Sequence, residues 1–421
     1  MTSAPNRSRL AAPPDGPTAN LPHGVVVFAH TPPPHHGQSA MVQLMLDLLQ
    51  PAQATATPSS LRLFHVNARV SRDIAEVGGF RPGKIFTLLA HCRHALRLHR
   101  QYGARTFYYV PAPPARTPLW RDWLVMALCR PFFPRLIFHW HAGGLSEWLE
   151  RRATAPERWM TRRLLGRHDL SIVLRPFHRR DAEYLAAREI RVIPNGLPDP
   201  CPDFATALLP GRRAAAAARQ EALRAGASRV PYVARVLFLS LLRREKGLFD
   251  ALEAVALANA RLRHTGLRFE LLVAGDFASP AVRSEFEARV QAPDLVGPPP
   301  VVRAVGFVSG AAKDRLWREA DCLCFPTRLP EGFPVTLAEA MAYGLPVVTS
   351  DCCGLPEILP PGYPGVFATG NAADLAVRLL EWAARDYRPD LREWYLAHYT
   401  AEHFAEQMRA ALLAGGPGGA V

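Results

Sequence analysis

Short apolar runs alternate with longer segments of helical period along most of the 421 residues. The first set is GVVVFAH (24–30), LRLFHV (61–66), TFYYVP (106–111), RLIFHW (135–140), LSIVL (170–174) and IRVIPNG (190–196). A second set follows: RVLFLSL (235–241), RFELLVAGD (268–276), VVRAVGF (301–307), DCLCFPT (321–327) and LPVVTS (345–350). These runs are continuous, β-branched or aromatic, as expected of strands covered on both faces. Amphipathic segments such as GLFDALEAVALANARLR lie between them. Strand and helix in turn predict parallel sheets wound with helices. The pattern breaks once, at the Pro-rich LPDPCPDF and the following ALLPGRRAAAAARQEALRAGA, which reads as an exposed helix. The expected divisions are a disordered tail (1–22), a first domain (23–196), a linker with that helix (197–230), a second domain (231–385), and C-terminal helices with a frayed GGPGGAV end (386–421). Two doubly wound, Rossmann-like α/β domains facing a central cleft would hold ligands at the C-terminal ends of their strands.

Composition narrows the class. Hydrophobic residues make up 49% of the chain, enough for two cores. The first 22 residues lack the apolar run of a secretory signal, and no apolar stretch is long enough to span a bilayer. The seven cysteines include no CxxC pair, and the histidines lie far from the close pairs Cys322/Cys324 and Cys352/Cys353, which argues against a zinc site or disulfide scaffold and fits a reducing cytoplasm. Charge is uneven: residues 1–200 hold 26 Lys+Arg and 13 Asp+Glu, whereas residues 201–421 hold 24 of each. Twelve of the 15 histidines also fall in the first half. Arginine outnumbers lysine 47 to three, the lysines being Lys84, Lys246 and Lys313.

The stretch EGFPVTLAEAMAYG places Glu331 and Glu339 eight positions apart between two strand runs. Pro334 suits the start of a helix and Gly344 its end, which predicts a helix over 334–343. Its N-terminus would follow a strand and face the cleft. The backbone N–H groups of Gly332, Phe333, Val335 and Thr336 would then offer a seat for a phosphate or a sugar oxygen. A carboxylate at Glu331 would repel that phosphate and must meet hydroxyl donors. Glu339, about 6 Å further along the axis, is placed to hold a ribose diol.

These residues resemble glycosyltransferase family 4, retaining enzymes of GT-B fold that use nucleotide sugars, over about 24–415. The resemblance rests on the E-x7-E motif of Glu331 and Glu339, on VIPNGLP (192–198), VGFVSGAAKDRLWREADCLCFPT (305–327) and GLPEIL (354–359). It implies that Glu331 meets the donor sugar and Glu339 the ribose. In FLSLLRREKGLFDALEA (238–254) it implies that Lys246 meets the diphosphate. The arginine usual five positions earlier is Leu241 here, so Arg243 or Arg244 is the candidate replacement. His141 in FHWHAGG matches the cleft histidine near the reacting sugar; His139, two residues earlier, shares its strand face as a second polar contact or a core histidine. Gly37, before a helix and after His35 and His36, is the donor-loop glycine, although the usual double glycine is absent. The catalytic candidates are therefore His141 and Glu331, with Gly37, Arg243, Lys246, Gly332, Phe333, Val335, Thr336 and Glu339 binding the donor. No metal or other cofactor is expected; the nucleotide sugar is a co-substrate.

The resemblance implies transfer of a hexose from GDP-mannose or a UDP-hexose to a saccharide or lipid-linked saccharide, in polysaccharide or glycoconjugate synthesis. Alternatives are a sugar-nucleotide epimerase on the same fold and an inactive, glycosyltransferase-like binding subunit. In the basic half, HCRHALRLHRQYGAR (91–105) and PLWRDWLVMALCRPFFPR (118–135) set cations around apolar stripes. Both are candidates to lie on an anionic bilayer, which points to a cytoplasmic protein peripheral at the inner membrane face. No nucleic-acid-binding motif accompanies the charge.

Overall fold

The computed structural model describes residues 24–33, 37–50, 61–69, 82–228, 230–297 and 300–414. The expected 1–22 tail, His35, His36 and GGPGGAV lie outside the described residues. Every apolar run read as a strand forms one. The first sheet contains β1 (Gly24–Ala29), β2 (Arg62–Asn67), β3 (Thr106–Tyr109), β4 (Arg135–Trp140), β5 (Leu170–Val173) and β6 (Glu189–Val192). The second contains β7 (Tyr232–Leu239), β8 (Leu267–Ala274), β9 (Val302–Gly306), β10 (Cys322–Phe325), β11 (Val347–Ser350) and β12 (Val366–Phe367). The two-residue β12 is too short to leave a sequence pattern.

Both sheets are parallel, with orders β2-β1-β3-β4-β5-β6 and β12-β11-β10-β7-β8-β9. Alternation along β1 shows the double winding. Val25 and Val27 face one core with Met45 and Leu46, and Val26 and Phe28 face another with Leu88, Cys92 and Met126. The second sheet divides likewise, Val236 and Phe238 on one side and Leu237 on the other.

The helix expected to be exposed in the linker spans Leu209–Arg224 and is half-buried instead. Arg212 donates to the carbonyls of Trp317, Ala320 and Tyr343, and Arg219 to those of Ala383 and Arg385. Those carbonyls close three helices, at Glu319, Ala342 and Ala383, so two guanidiniums cap three negative helix ends. Sequence pattern alone scores such arginines as solvated.

The chain ends in two helices, Asp390–His398 and Ala401–Leu413. The last crosses back to the first domain, where Phe404, Met408, Ala411 and Leu412 fill the core beside Val25 and Val27. Arg135 at the start of β4 donates to the carbonyls of Ala411 and Leu412. Leu197 and Thr400 pair alongside. A Cβ on Gly196 would stand 2.4 Å from that of Phe404, so the backbone there must be glycine.

The segment 118–135 divides its apolar residues, Trp120 and Phe132 being exposed and most of the others buried or half-buried. The helix Arg116–Cys129 buries Leu119, Val125, Met126 and Cys129, and its Asp122 accepts from Tyr109 Oη and the Ala112 N–H. The helix Pro82–Tyr102 does expose an apolar stretch, Ile85, Phe86 and Leu89, followed by Arg93, His94, Arg97 and Arg100.

Candidate active site

In the second sheet β7 and β10 are neighbours from which the strand order runs in opposite directions. Such a switch point leaves a crevice at the strand C-termini. The loops leaving the two strands meet there. Gly247 adopts φ +79°, and a Cβ on it would lie 2.1 Å from the Pro326 carbonyl oxygen. That close approach lets Lys246, at the end of the turn Arg244–Lys246, donate to the Glu331 carboxylate, which also accepts from Thr327 Oγ1 at 3.2 Å.

Beyond the turn the chain enters the helix Val335–Ala342. Pro334 occupies its N-cap, no side chain among the described residues caps it, and its first turn holds no acid. The N–H groups at its start, those of Val335 and Thr336, therefore have no side-chain acceptor and carry the positive end of the helix. One turn in, Glu339 accepts from Lys313 Nζ at 2.6 Å. Two of the chain's three lysines thus sit on the two motif glutamates. Lys313 was not singled out from the sequence, although a lysine among 47 arginines was a signal. Burial raises the Glu339 carboxyl above the usual range, Lys313 opposes this, and Oε2 has no hydrogen-bond partner among the described residues.

The first domain closes over this loop. A Cβ on Gly332 would stand 2.1 Å from the His141 carbonyl oxygen, so Gly332 is where the two backbones touch. Arg175, following β5 and only 2% exposed, donates from Nε to the Gly332 carbonyl at 2.8 Å and from Nη2 to the Glu331 carbonyl. His178 packs beside it, its imidazole driven down to about 4 by burial and the Arg175 charge. Glu357 of the GLPEIL stretch accepts the Phe177 N–H across the same boundary at 2.9 Å. Glu331 is therefore held by its side chain from its own domain and by its backbone from the other. The segment LRPFH that supplies these contacts lacks a motif and was missed.

His141 follows β4 directly, with the His139 ring 4.2 Å from its own. His139 is buried and bonds Tyr108 Oη through Nδ1; burial and the neighbouring His141 keep it neutral at physiological pH. It belongs to the core beneath His141, the second of its two sequence readings. Gly37 opens the helix Gly37–Leu49 after β1, next to the first sheet's switch point between β1 and β3.

Among the described residues Arg243 pairs with Glu245, and Arg244 pairs with Glu285 and lies over the Phe249 ring. Phe333 is 7% exposed and packs edge-on against Tyr399, so its ring is core and only its backbone is available at the helix start.

Residues 224–397 match the family model described as Glycosyl transferases group 1. That match lies in the second half of the chain; the two parallel sheets themselves have the GT-B architecture. Among particular proteins, the chain is 38% identical over 97 residues to a phosphatidyl-myo-inositol mannosyltransferase of Mycobacterium leprae, a match spanning 23% of this chain and 25% of that protein. The sucrose-phosphate synthase of Thermosynechococcus elongatus superposes with TM-score 0.60 at 19% identity, covering 92% of this chain and 98% of its own. The Anabaena protein Alr3699/HepE, solved with UDP and glucose, superposes at 0.57 with 14% identity, covering 92% and 99%. These two likenesses are of fold.

Proposed function

We propose that the protein transfers a hexosyl group from a nucleotide sugar to a saccharide or lipid-linked saccharide, with retention of anomeric configuration. One observation carries the reading: two lysine–glutamate pairs flank an uncapped helix N-terminus at a strand switch point, facing His141. In this reading Glu339 accepts the ribose hydroxyls and Glu331 those of the sugar. The diphosphate lies between them on the first-turn N–H groups, with Lys246 beside it. As the glycosidic bond breaks, negative charge grows on the departing diphosphate, where the lysine and the helix dipole stabilise it more than in the ground state. The two motif glutamates lie on one segment and do not flank the scissile bond as a glycosidase pair does, so attack from the leaving-group face is favoured. His141 contributes a polar contact at the reacting centre. The UDP bound to the Anabaena protein and the mannosyl transfer named for the mycobacterial one support UDP-hexose and GDP-mannose as the first donors to test.

The test is a donor-turnover assay with a mixed saccharide acceptor pool and NMR of the product anomer. Glu331→Ala is expected to lower kcat/KM by about two orders of magnitude or more, the scale of losing a charge-assisted contact at the reacting centre. Turnover unchanged in that variant defeats the site. An inverted product defeats the stereochemistry alone.

A further inference from the structure

At the end of the first sheet opposite the cleft, the segments entering β4, β5 and β6 line an open cavity of about 620 Å³. Arg130, Arg162, Arg163 and Arg167 line it together with Trp159 and Tyr184, and none of the lining residues is acidic. We propose that this cavity is a binding site for a phosphate-bearing ligand, the arginines holding the phosphate and Trp159 covering its neighbouring group.

Four observations support this. Guanidinium forks match phosphate oxygens two at a time, and no residue of the wall is a carboxylate that would occupy them. Arg130 donates to the Leu164 and Arg167 carbonyls and so fixes the wall, while burial and the charges of Arg163 and Arg188, opposed by Asp169, push its proton affinity down. Trp159 is 64% exposed, a large aromatic surface held open at the mouth. Inside, Arg162 lies 4.6 Å above the Tyr184 ring, and the Tyr184 hydroxyl is buried without a hydrogen-bond partner among the described residues. The backbone is also unusual. Among the described residues, Arg167, Ala186 and Cys353 are the non-glycine residues at positive φ, and two of the three line this cavity, each at φ 53°. Non-glycine residues in the left-handed region persist where the surroundings enforce them, and they concentrate at functional positions. Here Arg167 N–H donates to the Leu185 carbonyl at 2.8 Å, which fixes the turn presenting the Arg167 side chain.

The cavity's volume suits a small metabolite or a lipid headgroup. The shared chemistry is a phosphate with an apolar or planar neighbour, and the test separates the sources. In the full-length protein carrying Lys246→Gln, which silences the cleft, pyrophosphate is titrated calorimetrically. Vesicles of phosphatidylcholine with 10% phosphatidic acid are offered in parallel, roughly the charge density of an anionic leaflet. Saturable pyrophosphate binding that weakens at least about tenfold, 1.4 kcal/mol, on adding Arg163→Gln and Arg167→Gln supports a soluble ligand. Vesicle binding reduced by the same two substitutions, without pyrophosphate binding, supports a headgroup. Both substitutions lie on exposed side chains, and an unchanged melting temperature confirms the fold. Absence of both kinds of binding, or binding indifferent to the two arginines, overturns the proposal. Neither result bears on the cleft, whose reading stands or falls on Glu331.

Discussion

At Glu339 burial and a lysine pull the carboxyl in opposite directions. Burial wins, so the folded-state value lies above the ordinary 4.5. A carboxyl that holds its proton more tightly when folded makes the protein lose stability as pH rises from the ordinary value through the folded one. Binding runs the other way, because only the carboxylate accepts from a ribose diol. Nucleotide affinity is expected to fall on acidification at a pH above that of a free glutamate. In Lys313→Gln, which removes the opposing charge, that acid limb moves to higher pH; isothermal titration of UDP and GDP across pH 4.5–8 checks this. A limb that stays put would separate Lys313 from the site. The two glutamates were legible in the sequence because turn, helix start and carboxylate spacing all lie within one short segment. Lys313 and Arg175 were not, since each reaches its partner through tertiary structure; Arg175 and Glu331 are 156 positions apart.

Among the elements, the final helix does more than its amphipathic pattern indicated. Ala401–Leu413 follows the second domain in sequence, yet it supplies buried side chains to the first. Phe404, 2% exposed, touches the Gly196 turn and the first-domain core. Phe404→Ala is expected to cost about 3–5 kcal/mol by cavity formation. Urea unfolding should show the loss chiefly in the first domain's transition. A loss confined to the second would mean that the helix does not complete the first domain. The strands were read well because double burial produces continuous apolar runs. The partners of amphipathic helices were not readable, since a stripe records that a face is buried and not against what. The helix Arg116–Cys129 illustrates it: its aliphatic residues Leu119, Val125 and Met126 are core, while Trp120 stays exposed.

For the whole molecule, the division of charge follows the division of domains: residues 1–200, which hold the first sheet, carry the excess base, and residues 201–421, which hold both glutamates, are balanced. No helix among the described residues is long and apolar enough to cross a membrane. The exposed Ile85, Phe86 and Leu89 beside Arg93 and Arg97 give the first domain a surface suited to an anionic bilayer. Cosedimentation with phosphatidylglycerol vesicles should be salt-sensitive and should weaken several-fold in Phe86→Asp. Binding indifferent to salt and to that substitution argues against this face. The central claim concerns the cleft itself, that Glu339 reads the ribose and Glu331 the sugar of one donor. Isothermal titration tests it with wild type, Glu331→Ala and Glu339→Ala, using whichever of UDP-glucose and GDP-mannose binds, together with its free nucleotide. Glu339→Ala should weaken nucleotide and nucleotide sugar alike, by about 10- to 100-fold. Glu331→Ala should weaken only the nucleotide sugar. Equal losses for both ligands in Glu331→Ala, or no loss in either variant, would contradict the account.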